Sequence, residues 1–241
     1  MKDGPPVVVI GGTRGTGFLI AQLLASEGRH VRVLARNPSW AAARQGIKVQ
    51  VCEGDVTRPD SLAGVIAGAS HIVFTAGVRS GRPATERRVR ETEYQGVINT
   101  LEAAEQVGFD GRFLYMTSSG VHARSLFATG LNMYKGNTLR WRARAEEEIR
   151  TSSVDYSIIR TGMLLNAPAG TRAIRFTQEE LPLAFRHRIS RADVAEAFVA
   201  ALDHPRASRV TFELVWSNGD RAESWSALLA HLRPDADLVG Q

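Results

Sequence analysis

Apolar residues along the chain fall into two alternating rhythms. Short runs at 7–10 ("VVVI"), 30–35 ("HVRVLA"), 48–54 ("KVQVCEG"), 71–76 ("HIVFTA"), 112–117 ("RFLYMT"), 156–160 ("YSIIR") and 211–215 ("TFELV") have the length and residue types of strands. Between them, apolar positions return every three or four residues. Ile20, Leu23, Leu24 and Glu27 share one helical face, and Tyr94, Val97, Leu101 and Ala104 share another. Short buried strands alternating with helices predict an α/β fold. The expected form is a single Rossmann-type, doubly wound parallel sheet with helices on both faces. No repeat, linker or low-complexity stretch divides the chain, so one domain is expected over residues 1–241. The weakly periodic stretch 161–190 follows the sixth strand, where a small substrate lid is expected. Ser190 then reads as the N-cap of a helix that carries Val194, Ala197, Phe198 and Ala201 on one side.

Composition narrows the function classes. With 241 residues, 44% of them hydrophobic, the chain can bury a sizeable core. Of its 30 basic residues only Lys2, Lys48 and Lys135 are lysine, which leaves 27 arginines scattered among 25 acids. The pI near 9.9 therefore reflects arginine usage, and no nucleic-acid partner is expected. The dense run 79–90 ("RSGRPATERRVR") reads as a solvated loop leading into a helix. No apolar stretch approaches the ~18 to 20 residues needed to span a bilayer, and no secretory signal is visible. The single Cys52 fits a reducing compartment. A cytoplasmic protein is expected, monomeric or a small homo-oligomer, without membrane or metal and with a small-molecule substrate.

The candidate chemistry begins at "IGGTRGTG". Gly11, Gly15 and Gly17 lie between a strand and an amphipathic helix. There one glycine lets the chain turn, another lets backbone amides approach a pyrophosphate, and a third packs helix on strand. The loop residues Thr13, Arg14 and Thr16 complete this cofactor site. A Rossmann second strand that ends in Asp or Glu holds the ribose 2′-OH of NAD. Here it ends in Arg36, and no acid follows until Glu53. Arg14 and Arg36 flanking one ribose would meet a 2′-phosphate with charge-assisted hydrogen bonds. The competing reading is two solvated surface arginines. The reading adopted is NADP(H).

The sequence resembles the atypical NAD(P)H-binding branch of the short-chain dehydrogenase/reductase superfamily. This branch holds the NmrA-like proteins with flavin, biliverdin and quinone reductases and some redox-sensing regulators. The carriers are "GGTRGTG", "GDVTRPDSL", "FTAG", "YQGVINTLEAAEQVG", "LYMTSSG", "WRARAEEEIRTSSVDYSIIRTGML" and "ISRADVAEAFVAAL". The resemblance implies that Asp55 and Val56 border the adenine and that Ala76 and Gly77 pass under the ribose. It implies that Ser118 sits beside the nicotinamide and polarises a carbonyl. Thr161, Gly162 and Met163 would line the carboxamide, with Thr161 replacing the family's proline.

The catalytic dyad is where this chain departs from the superfamily. Dehydrogenases of this type set Tyr and Lys four residues apart on the helix after the fifth strand. The matching positions are Thr138 and Arg142, on one inward face with Ala145 and Ile149. Arg142 can hold ribose hydroxyls, but threonine is too weak an acid to replace tyrosine. The bland alternative pairs Arg142 with Glu146 and Arg144 with Glu148 on the surface, at about 0.3 kcal/mol each. Tyr134 and His122 are further candidate proton donors. The expected activity is an NADPH-dependent reductase passing hydride to a quinone-, flavin- or enone-like acceptor. The alternatives are a non-catalytic NADP-binding redox sensor, or a dehydratase or cyclase on the same fold.

Overall fold

The computed structural model describes residues 4–39, 49–78, 84–122, 126–221 and 223–238. Its main sheet has eight strands in the order β3-β2-β1-β4-β5-β6-β10-β8. These are β1 (Val7–Ile10), β2 (Val31–Ala35), β3 (Gln50–Glu53), β4 (His71–Phe74), β5 (Arg112–Ser118), β6 (Asp155–Thr161), β8 (Ile174–Thr177) and β10 (Val210–Trp216). Every pairing is parallel except the edge pair β10–β8. The strand order reverses direction at β1, between β2 and β4. In open α/β sheets the crevice for a dinucleotide lies at that switch point, beyond the carboxyl ends of the strands.

Both faces of the sheet are covered, as the near-continuous apolar strands require. In β1, Val7 and Val9 join one core with Ile20 and Leu24 of α1 (Gly15–Ser26) and Phe198 of α7 (Arg191–Leu202). Val8 and Ile10 point the other way, into a core shared with Val97 and Ile149. That second face holds the short α2 (Ala63–Ile66), α3 (Glu86–Arg90), α4 (Gly96–Gln106) and α6 (Thr138–Thr151). A π-helical turn, Glu91–Gln95, joins α3 to α4. Ser190 caps α7 as expected, its Oγ accepting from the Asp193 amide at 2.8 Å. Thr85 likewise caps α3, so residues 79–90 do lead into a helix, although 79–83 lie outside the described residues.

The stretch 161–190 is more ordered than its pattern suggests. It contains β7 (Met163–Leu165), β8, and β9 (Arg188–Ser190), with β7 and β9 forming a separate two-stranded sheet. Three-residue strands are too short to show a period. Helix α5 (Leu126–Tyr134) was also unanticipated, and α8 (Trp225–Ala230) closes the first core.

Candidate functional site

The glycine loop crosses the carboxyl ends of β1 and β4. Gly11 has φ 89° and Gly15 φ 59°, a region that side chains disfavour and glycine enters freely. A Cβ at Gly17 would stand 2.3 Å from Thr75 Oγ1 and 2.6 Å from the Gly11 carbonyl. One at Gly11 would stand 2.7 Å from the Ala76 amide. These two glycines therefore allow the loop to press onto the end of β4. Gly15 differs, since a Cβ there meets nothing closer than Arg191 Nε at 3.9 Å.

Arg14 is the N-cap of α1, in extended backbone. The Arg14 side chain makes no capping hydrogen bond, and the first turn of α1 holds no acid. The positive helix end is thus left for an anion. Thr16 Oγ1 is buried at the same turn, without a hydrogen-bond partner among the described residues. Thr13 is half-buried in the loop. These features fit a dinucleotide pyrophosphate. Arg36 is exposed just past the end of β2, the strand beside β1, so both arginines stand at the same edge of the sheet.

The adenine-side residues divide. Asp55 Oδ1 accepts from the amide and hydroxyl of Thr57, each at 2.9 Å, which orients the carboxylate. Val56 is buried against Gly96 of α4, and its carbonyl accepts from Asn99 at 2.7 Å. Both the side chain and the carbonyl of Val56 are thus engaged within the fold. Ala76 and Gly77 follow β4, half-buried.

On the nicotinamide side, Ser118 ends β5 directly opposite Thr161 at the end of β6. The half-buried Ser118 hydroxyl donates to the Ser119 carbonyl at 3.2 Å. Thr161 is buried and donates to the Thr117 carbonyl at 3.2 Å. Gly162 has no room for a side chain, since a Cβ would lie 2.4 Å from the His187 carbonyl. The Gly162 amide donates to Leu214 and the Met163 amide to His187. Both amides are engaged within the fold, so neither is available to a carboxamide.

The face read from sequence does turn inward, with Thr138, Ala145 and Ile149 buried. What it meets is Glu93, from the π-helical turn, fully buried. Glu93 Oε2 accepts from Arg142 Nε at 2.9 Å and from the Thr138 hydroxyl. Its Oε1 accepts from the Val78 amide at 2.8 Å and lies 3.6 Å from Lys135 Nζ. Arg142 Nη1 donates to the Met116 carbonyl at 3.1 Å, and Nη2 stands 2.9 Å from where a Gly77 Cβ would be. Burial alone would raise the Glu93 carboxyl, yet the two cations and two hydrogen bonds hold it below the ordinary range. Lys135 is pushed down by burial and by Arg142.

Neither surface pair suggested for this helix is the main contact. Glu146 is buried beneath Arg160, with Nη2 at 2.7 Å, and Arg144 lies over the Trp141 ring. Of the other candidate acids, Tyr134 is half-exposed at the end of α5. His122 Nε2 lies 3.7 Å from Glu146 and 3.9 Å from Glu180.

Three site residues escaped the sequence reading. Glu93 and Lys135 gave no sign because the cluster draws its members from separate elements, with Lys135 and Arg142 both meeting the Glu93 carboxylate. Arg191 comes within 3.9 Å of the Gly15 Cβ position through the packing of α7 beside α1. Its Nη1 donates to Leu164 and Asn166, and its Nε lies beside the glycine loop.

The NAD(P)H-binding family model matches residues 11–205. The chain belongs to that family. An uncharacterised chloroplastic protein of Arabidopsis thaliana is 29% identical over 94% of this chain and 82% of its own. Sanguinarine reductase of Eschscholzia californica is 30% identical over 52% of this chain and 45% of its own. Among solved structures, an anaerobillin reductase from Escherichia coli O157:H7 superposes with a TM-score of 0.70 at 24% identity, covering 90% of this chain and all of that one. The expected α/β fold and NAD(P)H-type cofactor are thereby shown. Among the described residues, no helix is long and apolar enough to cross a membrane.

Proposed function

We propose that the protein is an NADPH-dependent reductase whose acceptors are conjugated carbonyl compounds or flavins. The observation that carries this reading is the Thr138 hydroxyl bound to the buried Glu93 carboxylate. The tyrosine slot thus holds a group that donates into the protein and is far too weak an acid to protonate an alkoxide. Reduced nicotinamide, when bound, supplies a hydride, two electrons with one proton. A quinone or flavin takes the second proton from water and needs no positioned acid.

Each residue then has a limited task. Arg14 and Arg36 hold the 2′-phosphate, and Arg191 supports the pyrophosphate at the end of α1. Ser118 turns its hydroxyl from the Ser119 carbonyl toward an acceptor oxygen and stabilises the charge that develops there. Arg142, held by Glu93, keeps a fixed positive charge under Gly77, beside the expected ribose. The names of two similar proteins, reductases of sanguinarine and of anaerobillin, agree with a conjugated acceptor.

The engaged amides of Gly162 and Met163 favour a second reading, a cofactor-binding sensor without turnover. NADPH oxidation against a quinone, a flavin, an enone and an aliphatic ketone separates the two. Turnover of the first three with a poor ketone rate supports the reductase. Equal ketone turnover overturns the acid-free mechanism, and no turnover despite NADPH binding favours the sensor.

A further inference from the structure

Arg191, at the start of α7, faces two ways. Its Nη1 donates to the Leu164 carbonyl at 3.1 Å and to Asn166 Oδ1 at 2.8 Å. Leu164 belongs to β7, which follows Gly162 on the nicotinamide side. In the other direction, Nε stands 3.9 Å from where a Cβ of Gly15, the first residue of α1, would be. Neither Leu164 nor Asn166 offers a charge at these contacts, so they leave the guanidinium unneutralised. A cation beside the positive end of a helix is unfavourable until an anion lies between them. Thr16 Oγ1 is buried at that same helix end, without a hydrogen-bond partner among the described residues. An anion seated there would satisfy the helix end, the hydroxyl and the guanidinium together.

The segment that Arg191 holds has little burial to fix it. None of residues 166–170 is buried, and the order of such a stretch depends on its hydrogen bonds. Its far end is fastened by Asp193, whose Oδ1 accepts from the Gly170 amide at 2.8 Å. Asp193 is itself buried and fixed, its Oδ2 accepting from the Ser190 hydroxyl at 2.7 Å and from Trp216 Nε1 at 2.8 Å. The near end is fastened by Arg191, and the same guanidinium faces the glycine loop. One anchor is thus independent of any ligand, while the other is shared with the anion site.

We propose that Arg191 is a positioning residue that couples occupancy of the pyrophosphate site to the ordering of residues 164–170. With its charge balanced by an anion at the end of α1, Arg191 is held in the orientation that reaches Leu164 and Asn166. Coupling of this kind is reciprocal, so the ordered segment also tightens the hold on the nucleotide. The wall that follows β6 is then complete only in the cofactor-loaded protein. That the anion is a pyrophosphate rests on the proposed cofactor; the bridge from the glycine loop to the segment does not.

Backbone amide exchange on the full chain, read by mass spectrometry, tests this without turnover. The probes are NADPH and 2′-phospho-ADP-ribose, which carries the same pyrophosphate but no nicotinamide. Either one, at saturation, should slow exchange in residues 164–170 of wild-type protein by at least about fivefold. Arg191→Lys keeps a charge beside the loop but cannot span both sides. At saturation it should show protection at residues 11–17, which reports occupancy, and none at 164–170. Protection of 164–170 that persists in this variant overturns the coupling, as does its absence from wild-type protein whose loop is protected. Either result leaves the cofactor reading standing. Protection by NADPH alone would trace to the nicotinamide, which also overturns the coupling. If Arg191→Lys binds too weakly to saturate, Asn166→Ala decides: reduced protection of 164–170 supports the coupling, and unchanged protection overturns it. Wild-type protein that binds neither nucleotide overturns both the coupling and the cofactor. Coupling in a protein that reduces no acceptor keeps the coupling and removes the reductase.

Discussion

Arg142 Nε lies 2.9 Å from Glu93 Oε2, and the carboxylate it meets is fully buried. The buried Glu93 charge is tolerable because Arg142, and Lys135 at 3.6 Å, balance it. Removing one partner of such a pair costs about 3 to 5 kcal/mol, because the remaining charge stays buried without compensation. Glu93→Gln and Arg142→Met should each lower unfolding stability by roughly that amount. The double variant should lose at least about 1 kcal/mol less than the sum of the singles. Urea unfolding of all four proteins measures the difference, and additive losses would mean that the pair is not coupled.

A second buried carboxylate governs acid stability. Burial would push Glu146 up, but His122, Arg160 and Arg150 outweigh it and bring its carboxyl down to about 2 from 4.5. The folded state therefore prefers the ionised form more strongly than the unfolded state does. The stabilisation is complete above about 4.5 and disappears as pH falls toward 2. Its size is on the order of 3 kcal/mol. Unfolding free energy followed from pH 6 downward should fall through this window. In Glu146→Gln it should start lower and fall less, and parallel pH curves would contradict the assignment.

The alternation of Val7 and Val9 with Val8 and Ile10, and the glycine spacing that follows, were readable because each depends on neighbours in sequence. The sheet and the cofactor loop come directly from them. The inward face of Thr138, Arg142, Ala145 and Ile149 was equally legible, since helical geometry fixes it. What faces it was not. Glu93 lies 49 positions before Arg142, in a π-helical turn that shifts the face of its helix. Arg191 meets the glycine loop only because α7 packs beside α1. Helix α5 escaped notice for a different reason, as its larger apolar residues point away from the core instead of into it.

The two arginines at the loop edge should decide cofactor choice. Arg14 stands at the N-cap position of α1 and Arg36 follows β2, whose neighbour in the sheet is β1. Two charge-assisted contacts to a 2′-phosphate amount to about 2 to 5 kcal/mol together. Arg14→Ala/Arg36→Ala should lose most of the preference for NADPH while leaving NADH affinity nearly unchanged. Parallel titrations of the two nucleotides read this directly. Equal loss for both would place the arginines on the shared pyrophosphate.

The glycines of the loop should not be equivalent. Gly15 needs its left-handed backbone, at φ 59°, but has open space around its Cβ position. Gly15→Ala should therefore cost about 1 kcal/mol of conformational strain and leave the loop in place. Gly17 sits in the helix with no such backbone requirement, yet a methyl there would overlap both Thr75 Oγ1 and the Gly11 carbonyl. One of these is backbone and cannot swing aside, so Gly17→Ala must lift α1 away from the end of β4. That displacement moves the helix end that faces the pyrophosphate. Gly17→Ala should weaken NADPH binding by at least about tenfold and lower Tm more than Gly15→Ala does. Pairing Gly17→Ala with Thr75→Ala removes only the side-chain overlap, so most of the defect should persist. Full recovery in that double variant would show that the Thr75 hydroxyl, not the Gly11 carbonyl, sets the limit.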